Sequence, residues 1–239
     1  MIVVIGLPAY AGATGGEGSA GGLAVDVAAA ATARGGAVEL VGKVGDDGAG
    51  DAVVLALGRL GIGHAALLRD PARSTPVLSA VATSAEIDAE PGADLLVAAV
   101  AGADAPSGEG DDGPRVEVRL LTADPAARPS LEAGDISLAL RYLTETRVVV
   151  VAEPLAEAAV AAAVEGASFA GARLVVLVQP GATPPALPPE ATLLESPAAD
   201  DGSFGRVVGA FAAGLDAGAA PAAAFGEAVR SSGWEPVPD

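Results

Sequence analysis

The chain has 239 residues, no cysteine, one histidine and a formal net charge of −18. These numbers exclude disulfides, thiolate metal centres, cysteine nucleophiles and multi-histidine metal sites. The acidity repels phosphate backbones and anionic lipid, so neither nucleic acid nor a membrane surface is an expected partner.

Residues 2–6 (IVVIG) read as a short buried strand, β-branched and ended by glycine. A Gly/Ala-rich loop follows to about Ala20. GGLAVDVAAAATARGG reads as a helix with glycines at both ends, AVELVGKVG as a second strand, and GDDGAGDAVVLALGRLG as a second helix. That helix puts Ala49, Val53, Ala56, Leu57 and Leu60 on one face. Asp47 and Asp51 near its start and Arg59 near its end suit its dipole. HAALLR, PVLSAVA, DLLVAAVA and RVEVRLL read as short strands, the last two separated by GADAPSGEGDDGP, which reads as an exposed loop.

A helix is expected over 130–143, a buried strand at 147–152, and an Ala-rich helix over 154–171. A strand at ARLVVLVQP runs into a proline cluster at 180–189, and TLLE reads as one more strand. Two helices, from about Phe204 to Ala217 and from about Ala220 to Arg230, precede a polar tail holding Trp234. Glu153, Glu157 and Glu165 interrupt the longest Ala/Val stretch, so it is a helix of a soluble fold and not a membrane span. No basic region precedes the first apolar run, so no signal peptide is expected and the cytoplasm is the default compartment. Strands alternating with helices at both ends predict an α/β fold with a mostly parallel sheet, read as one domain over 1–239.

GEGSAG at Gly16–Gly21 matches a dinucleotide fingerprint formally, but nine residues separate it from the glycine ending the first strand. The fingerprint works only when it directly follows that strand, so a nicotinamide site is not expected. Asp46, Asp47 and Asp51 lack the spacing of a calcium loop, and no metal site is expected. His64 follows a turn and reads as a surface residue.

Three segments in order are more specific: GGLAVD, VGKVGDDGAGD and LGRLGIG. With them the chain resembles the ribokinase-like (PfkB) carbohydrate kinases, in a shortened and divergent form. Gly21, Gly22 and Asp26 match the first family segment. Gly42, Val44, Gly45, Asp47 and Gly50 match the second, and Leu60, Gly61 and Ile62 the third. DDGSFGRVVGAFAAGLDAG is similar to the family's C-terminal signature. The resemblance implies a three-layer α/β sandwich with a mostly parallel central sheet, its substrate lid reduced or absent. It also implies Mg-ATP as cosubstrate if the family activity survives. A sugar, nucleoside or nucleotide is the implied ligand, with Gly21, Gly22 and Asp26 on the substrate side. A homodimer or a protein partner is a further expectation.

The departures from the family pattern bear on chemistry. Alignment on VGAFAAGL puts Gly202, Ser203, Phe204 and Gly205 at the family's nucleotide-side anion hole. Gly205 then stands where the family has its base, an aspartate, and glycine carries no group to take a proton. Loss of a positioned base costs about 10²–10⁴ in rate. Asp201 lies one turn earlier and is the candidate substitute, displaced by about 5 Å along a helix axis. Ala11 falls near the family's sugar-binding aspartate. The chain contains no asparagine, so the family's asparagine-containing metal motif is not intact, and LLESPAAD is its nearest remnant. The expected protein is therefore a degenerate kinase relative that binds a ligand or a protein. Two alternatives stay open: a divergent active kinase with Asp201 or Asp26 recruited, and a structural partner subunit.

Overall fold

The structure, a computed structural model, describes residues 1–12, 18–83, 115–120, 125–197 and 202–232. Its central sheet has six parallel strands. They are β1 (Ile2–Ile5), β4 (Val38–Gly45), β5 (Leu67–Asp70), β8 (Val148–Val151), β9 (Arg173–Val178) and β10 (Thr192–Glu195), in the order β10-β9-β8-β1-β4-β5. Side chains on successive residues point to opposite faces, and both faces of this sheet are covered. Ile2 and Val4 join one core with α1 (Leu23–Ala33), α2 (Gly48–Arg59), α5 (Ser203–Asp216) and α6 (Pro221–Ser232). Val3 and Ile5 join the other with α3 (Ala133–Tyr142) and α4 (Glu157–Ala170). This is why the strand sequences are near-continuous Val, Ile and Leu instead of alternating.

Four further strands form a second sheet in the order β3-β2-β6-β7: β2 (Ala9–Ala11), β3 (Ser19–Gly21), β6 (Val77–Thr83) and β7 (Arg115–Leu120). It occupies the place in the chain where a lid was expected to be reduced or absent. It is present and small, with β2 and β3 of three residues each.

The segment read as a plain loop up to Ala20 thus contains two strands. AYA and SAG carry little intrinsic strand signal; β2 is held by antiparallel pairing to β3 and parallel pairing to β6. HAALLR gives a shorter strand than expected, because Leu67 N–H closes a turn on the His64 carbonyl at 3.1 Å before pairing begins. DLLVAAVA, the GADAPSGEGDDGP loop and Trp234 lie outside the described residues. No helix among the described residues is long and apolar enough to cross a membrane.

Candidate functional site

From β1 the sheet grows through β4 to β5 on one side, and from β8 through β9 to β10 on the other. The chain therefore reverses its winding between β1 and β8. In open α/β sheets the crevice beyond the strand ends at such a point is the ligand site. Here it is rimmed by Gly6 and Leu7 after β1 and by Ala152 and Glu153 after β8. Gly6 is required by close approach: a Cβ there would lie 2.7 Å from the Ala24 Cβ and 2.7 Å from Glu153 Oε1.

Two helices begin near this crevice, each from a glycine with positive φ. Gly22 (φ 96°) precedes α1 and Gly202 (φ 83°) precedes α5. Both are conformations that side chains disfavour, so glycine sets the entry angle of each helix. Neither start has a side-chain cap. Gly202 holds the N-cap position of α5, and Asp200, two residues before it, lies outside the described residues. Asp201 itself lies outside the described residues.

The remaining predicted site residues fall in two groups. Gly21 ends β3 and is buried, and Gly22 follows it directly into α1. Asp26 stands in the first turn of α1, half-buried. Ser203, Phe204 and Gly205 form the first turn of α5. Phe204 is buried in the core shared by α1 and α5. The two groups meet at one contact: a Cβ on Gly205 would lie 2.7 Å from the Asp26 Cβ. One turn on, a Cβ on Gly209 would lie 2.6 Å from the Ala30 Cβ and 2.9 Å from the Ala31 nitrogen. Gly205 and Gly209 are thus the face through which α5 lies directly on α1. Ala11, near the family's sugar-aspartate position, is half-buried at the end of β2.

Asp47 has a structural task that its sequence context does not announce. It caps α2, accepting Gly50 N–H at 2.8 Å on Oδ1. It also accepts Thr75 Oγ1–H at 2.7 Å and Thr75 N–H at 2.9 Å, while Thr75 Oγ1 accepts Gly45 N–H at 2.9 Å. Burial opposes ionisation of Asp47, but the Thr75 and Gly50 donors and nearby Arg69 outweigh it and hold the pKa below the ordinary 3.8. Asp51 is held by Arg69 at 2.6 Å. The Asp46–Asp51 segment therefore serves the backbone and Arg69. Among the described residues no cluster of three or more His, Cys, Asp or Glu could hold a metal ion. His64 is half-buried, with Nδ1 3.1 Å from the Ile62 carbonyl.

Glu153 is the residue that sequence reading passed over. Its carboxyl turns inward and accepts the Leu7 N–H. Burial pushes its pKa up to about 7, against the opposing pull of that amide and of Arg128. The signal was present: a carboxylate two residues after four buried valines, just past the end of a central strand and directly before a proline. Lys43 of β4 pairs with Asp135 of α3 at 2.5 Å, both side chains partly buried.

A doubly wound parallel sheet with a small second sheet beside it defines a class of α/β folds. Within that class the fold is ribokinase-like. A protein named Sa239 superposes with a TM-score of 0.64 at 12% identity, over 99% of this chain and 95% of its own. The ribokinase of Arabidopsis thaliana, complexed with ribose and ATP, gives 0.61 at 13% identity, over 97% and 90%. A Staphylococcus aureus protein provisionally named a phosphofructokinase gives 0.58 at 14%, over 98% and 90%. No family model matches the sequence, and no curated protein matches it.

Proposed function

We propose that the chain is a ribokinase-fold binding protein that takes a sugar or nucleoside at the β1/β8 crevice without transferring phosphate to it. On this reading it works as one domain in the cytoplasm. The observation that carries it is the contact between Gly205 and Asp26. The first turn of α5 has no side chain at the position aligned with the family base, and α1 lies too close for one to be added. Phe204, packed into the core, supports the same reading, because the aligned family residue is a small one against phosphate.

One observation favours a second reading. Asp26 stands beside Gly205, so α1 brings a carboxylate-bearing residue next to the position of the absent base. An active, divergent kinase would use it.

Thermal unfolding with a panel of sugars and nucleosides, with and without Mg-ATP, separates the two. A ligand at 100 times its Kd stabilises by about 2.7 kcal/mol, which raises the midpoint of a chain this size by roughly 5–10 °C. We expect that shift with a sugar or nucleoside alone, and phosphate transfer no faster than solvent background. Turnover at ~1–100 s⁻¹ overturns the binding-protein reading. A loss of about 10²–10⁴ in Asp26→Asn would then identify the base. Gly205→Asp should not install activity and should destabilise by about 1–3 kcal/mol through overpacking.

A further inference from the structure

α3 and α4 lie side by side on one face of the central sheet, and a Cβ on Gly166 of α4 would meet the Leu140 side chain of α3. Ile136 and Ala139 of α3 and Ala159 and Ala163 of α4 turn toward the sheet. The opposite side of this layer holds the two most exposed large apolar side chains among the described residues. They are Phe169, 94% exposed, and Tyr142, 76% exposed; Leu138 follows at 52%. Helical spacing puts Leu138, Arg141 and Tyr142 on one face of α3. Phe169 stands near the end of α4, on a shallow groove of about 520 Å³. Ala161, Val164, Glu165 and Ser168 of α4 line the groove, together with Ala186 of the proline cluster. Large apolar side chains exposed together on one layer mark an interaction surface.

We propose that the solvent side of α3 and α4 is an isologous interface with a second copy of this chain. A two-fold contact requires a face that is complementary to itself, and two features of this one are. The first is shape. A projecting aromatic, Phe169, adjoins a groove lined mainly by small side chains, so the ring of each copy has a seat on the other. The second is charge. Arg141 has no ion-pair partner among the described residues, and neither has Glu165. They flank the contact between Leu140 and Gly166, one on each helix. A two-fold that lays α3 of one copy over α4 of the other therefore sets each Arg141 against Glu165 of the other copy. These pairs act on a chain whose net charge of −18 otherwise keeps two copies apart. Aromatics and arginine around apolar contacts are also the composition of an interface core. A foreign protein would need only its own complement to this face, whereas a knob beside its groove and two unpaired opposite charges are what a second copy needs. The interface lies across the central sheet from α1 and α5, so it stands whether or not the crevice takes a ligand.

Sedimentation of the whole chain over a range of concentrations tests it, at about 150 mM NaCl, where charges are screened beyond about 8 Å. The mass should rise from one chain to two as concentration increases. Phe169→Asp and Arg141→Glu should each weaken the dimer about tenfold or more. Neither should move the unfolding midpoint of the monomer, because both side chains are exposed. Arg141→Glu combined with Glu165→Arg should restore the dimer. Leu55→Asp, on the exposed face of α2 across the sheet, is the control and should leave the mass unchanged. A wild type that stays monomeric throughout overturns the proposal, and leaves the face to a different protein or to none. A dimer that survives both Phe169→Asp and Arg141→Glu overturns it too, since the contact then lies elsewhere. So does a double variant that pairs no better than Arg141→Glu alone.

Discussion

A methyl group at position 209 would meet the backbone of α1, not a side chain that can swing away. Its nearest neighbours would be the Val27 carbonyl oxygen, the Ala30 Cβ at 2.6 Å and the Ala31 nitrogen at 2.9 Å. Gly209→Ala gains about 1 kcal/mol of helix propensity. The overpacking it causes costs about 1–3 kcal/mol, and at a rigid backbone contact the upper part of that range applies. The net result should be a loss of about 1–2 kcal/mol, read as a fall of roughly 2–8 °C in Tm. Gly134 in α3 is the matched control. It is exposed, and a Cβ there meets nothing within 4 Å. Gly134→Ala should therefore stabilise, by about 0.5–1 kcal/mol. If both substitutions move Tm the same way, the α1–α5 contact is not as close as described.

At the scale of elements, the start of α2 and the entry to β6 are one unit, because Asp47 bonds both. Gly45 and Gly50 fit around it. A Cβ on Gly45 would lie 2.7 Å from Asp47 Oδ2, and one on Gly50 would lie 2.9 Å from Thr75 Oγ1. Asp47→Ala removes an N-cap, worth about 0.5–2 kcal/mol. It also strands donors of Thr75, which is 2% exposed, at about 1–3 kcal/mol. A total loss of about 2–4 kcal/mol in urea unfolding is expected. The pH dependence has a fixed sign. The folded pKa of Asp47 lies below its ordinary 3.8. Its contribution is therefore complete above that value and is lost as pH falls through the folded one. The stability gap between wild type and Asp47→Asn should hold steady above about pH 5 and narrow below about pH 4. A gap that widens in acid would contradict the assigned bonds.

The same unit shows what the sequence made legible. The glycines and aspartate of VGKVGDDGAG are visible as a motif, but their partner Thr75 lies 28 residues beyond Asp47. No local pattern announces that pairing. Strands such as RVVVV are legible because burial on both faces demands β-branched residues throughout. AYA and SAG are not, since only their neighbours make them strands. The candidate site divides in the same way. Gly22, Asp26 and Gly205 could be named from the resemblance to the ribokinase-like family, whereas their contact, and the inward turn of Glu153, exist only once β1, β8, α1 and α5 are assembled.

Over the whole molecule, 31 acidic side chains face 13 basic ones. A compact chain of this length has a radius of gyration of about 18 Å. At 10 mM salt the Debye length is about 30 Å, so every carboxylate repels every other across the fold; at 150 mM it is about 8 Å and only near neighbours interact. Unfolding spreads the same charge over a larger volume, so low salt penalises the folded state by an amount on the order of a few kcal/mol. Exposed ion pairs such as Arg230–Glu227 at 2.7 Å act in the opposite direction. Such pairs contribute only about 0–1 kcal/mol each, so the net repulsion prevails. Tm should rise steadily from 10 to 150 mM NaCl, and a fall would mean that local pairs govern stability. The same field bears on ligands. It is indifferent to a neutral sugar and repels the polyphosphate of ATP. Association of a neutral sugar should therefore be insensitive to salt over this range, whereas association of ATP, if any occurs, should quicken as salt is added. A nucleotide that associates faster at low salt would reveal a local cationic site overriding the acidic surface, and would turn the functional reading back toward phosphoryl transfer.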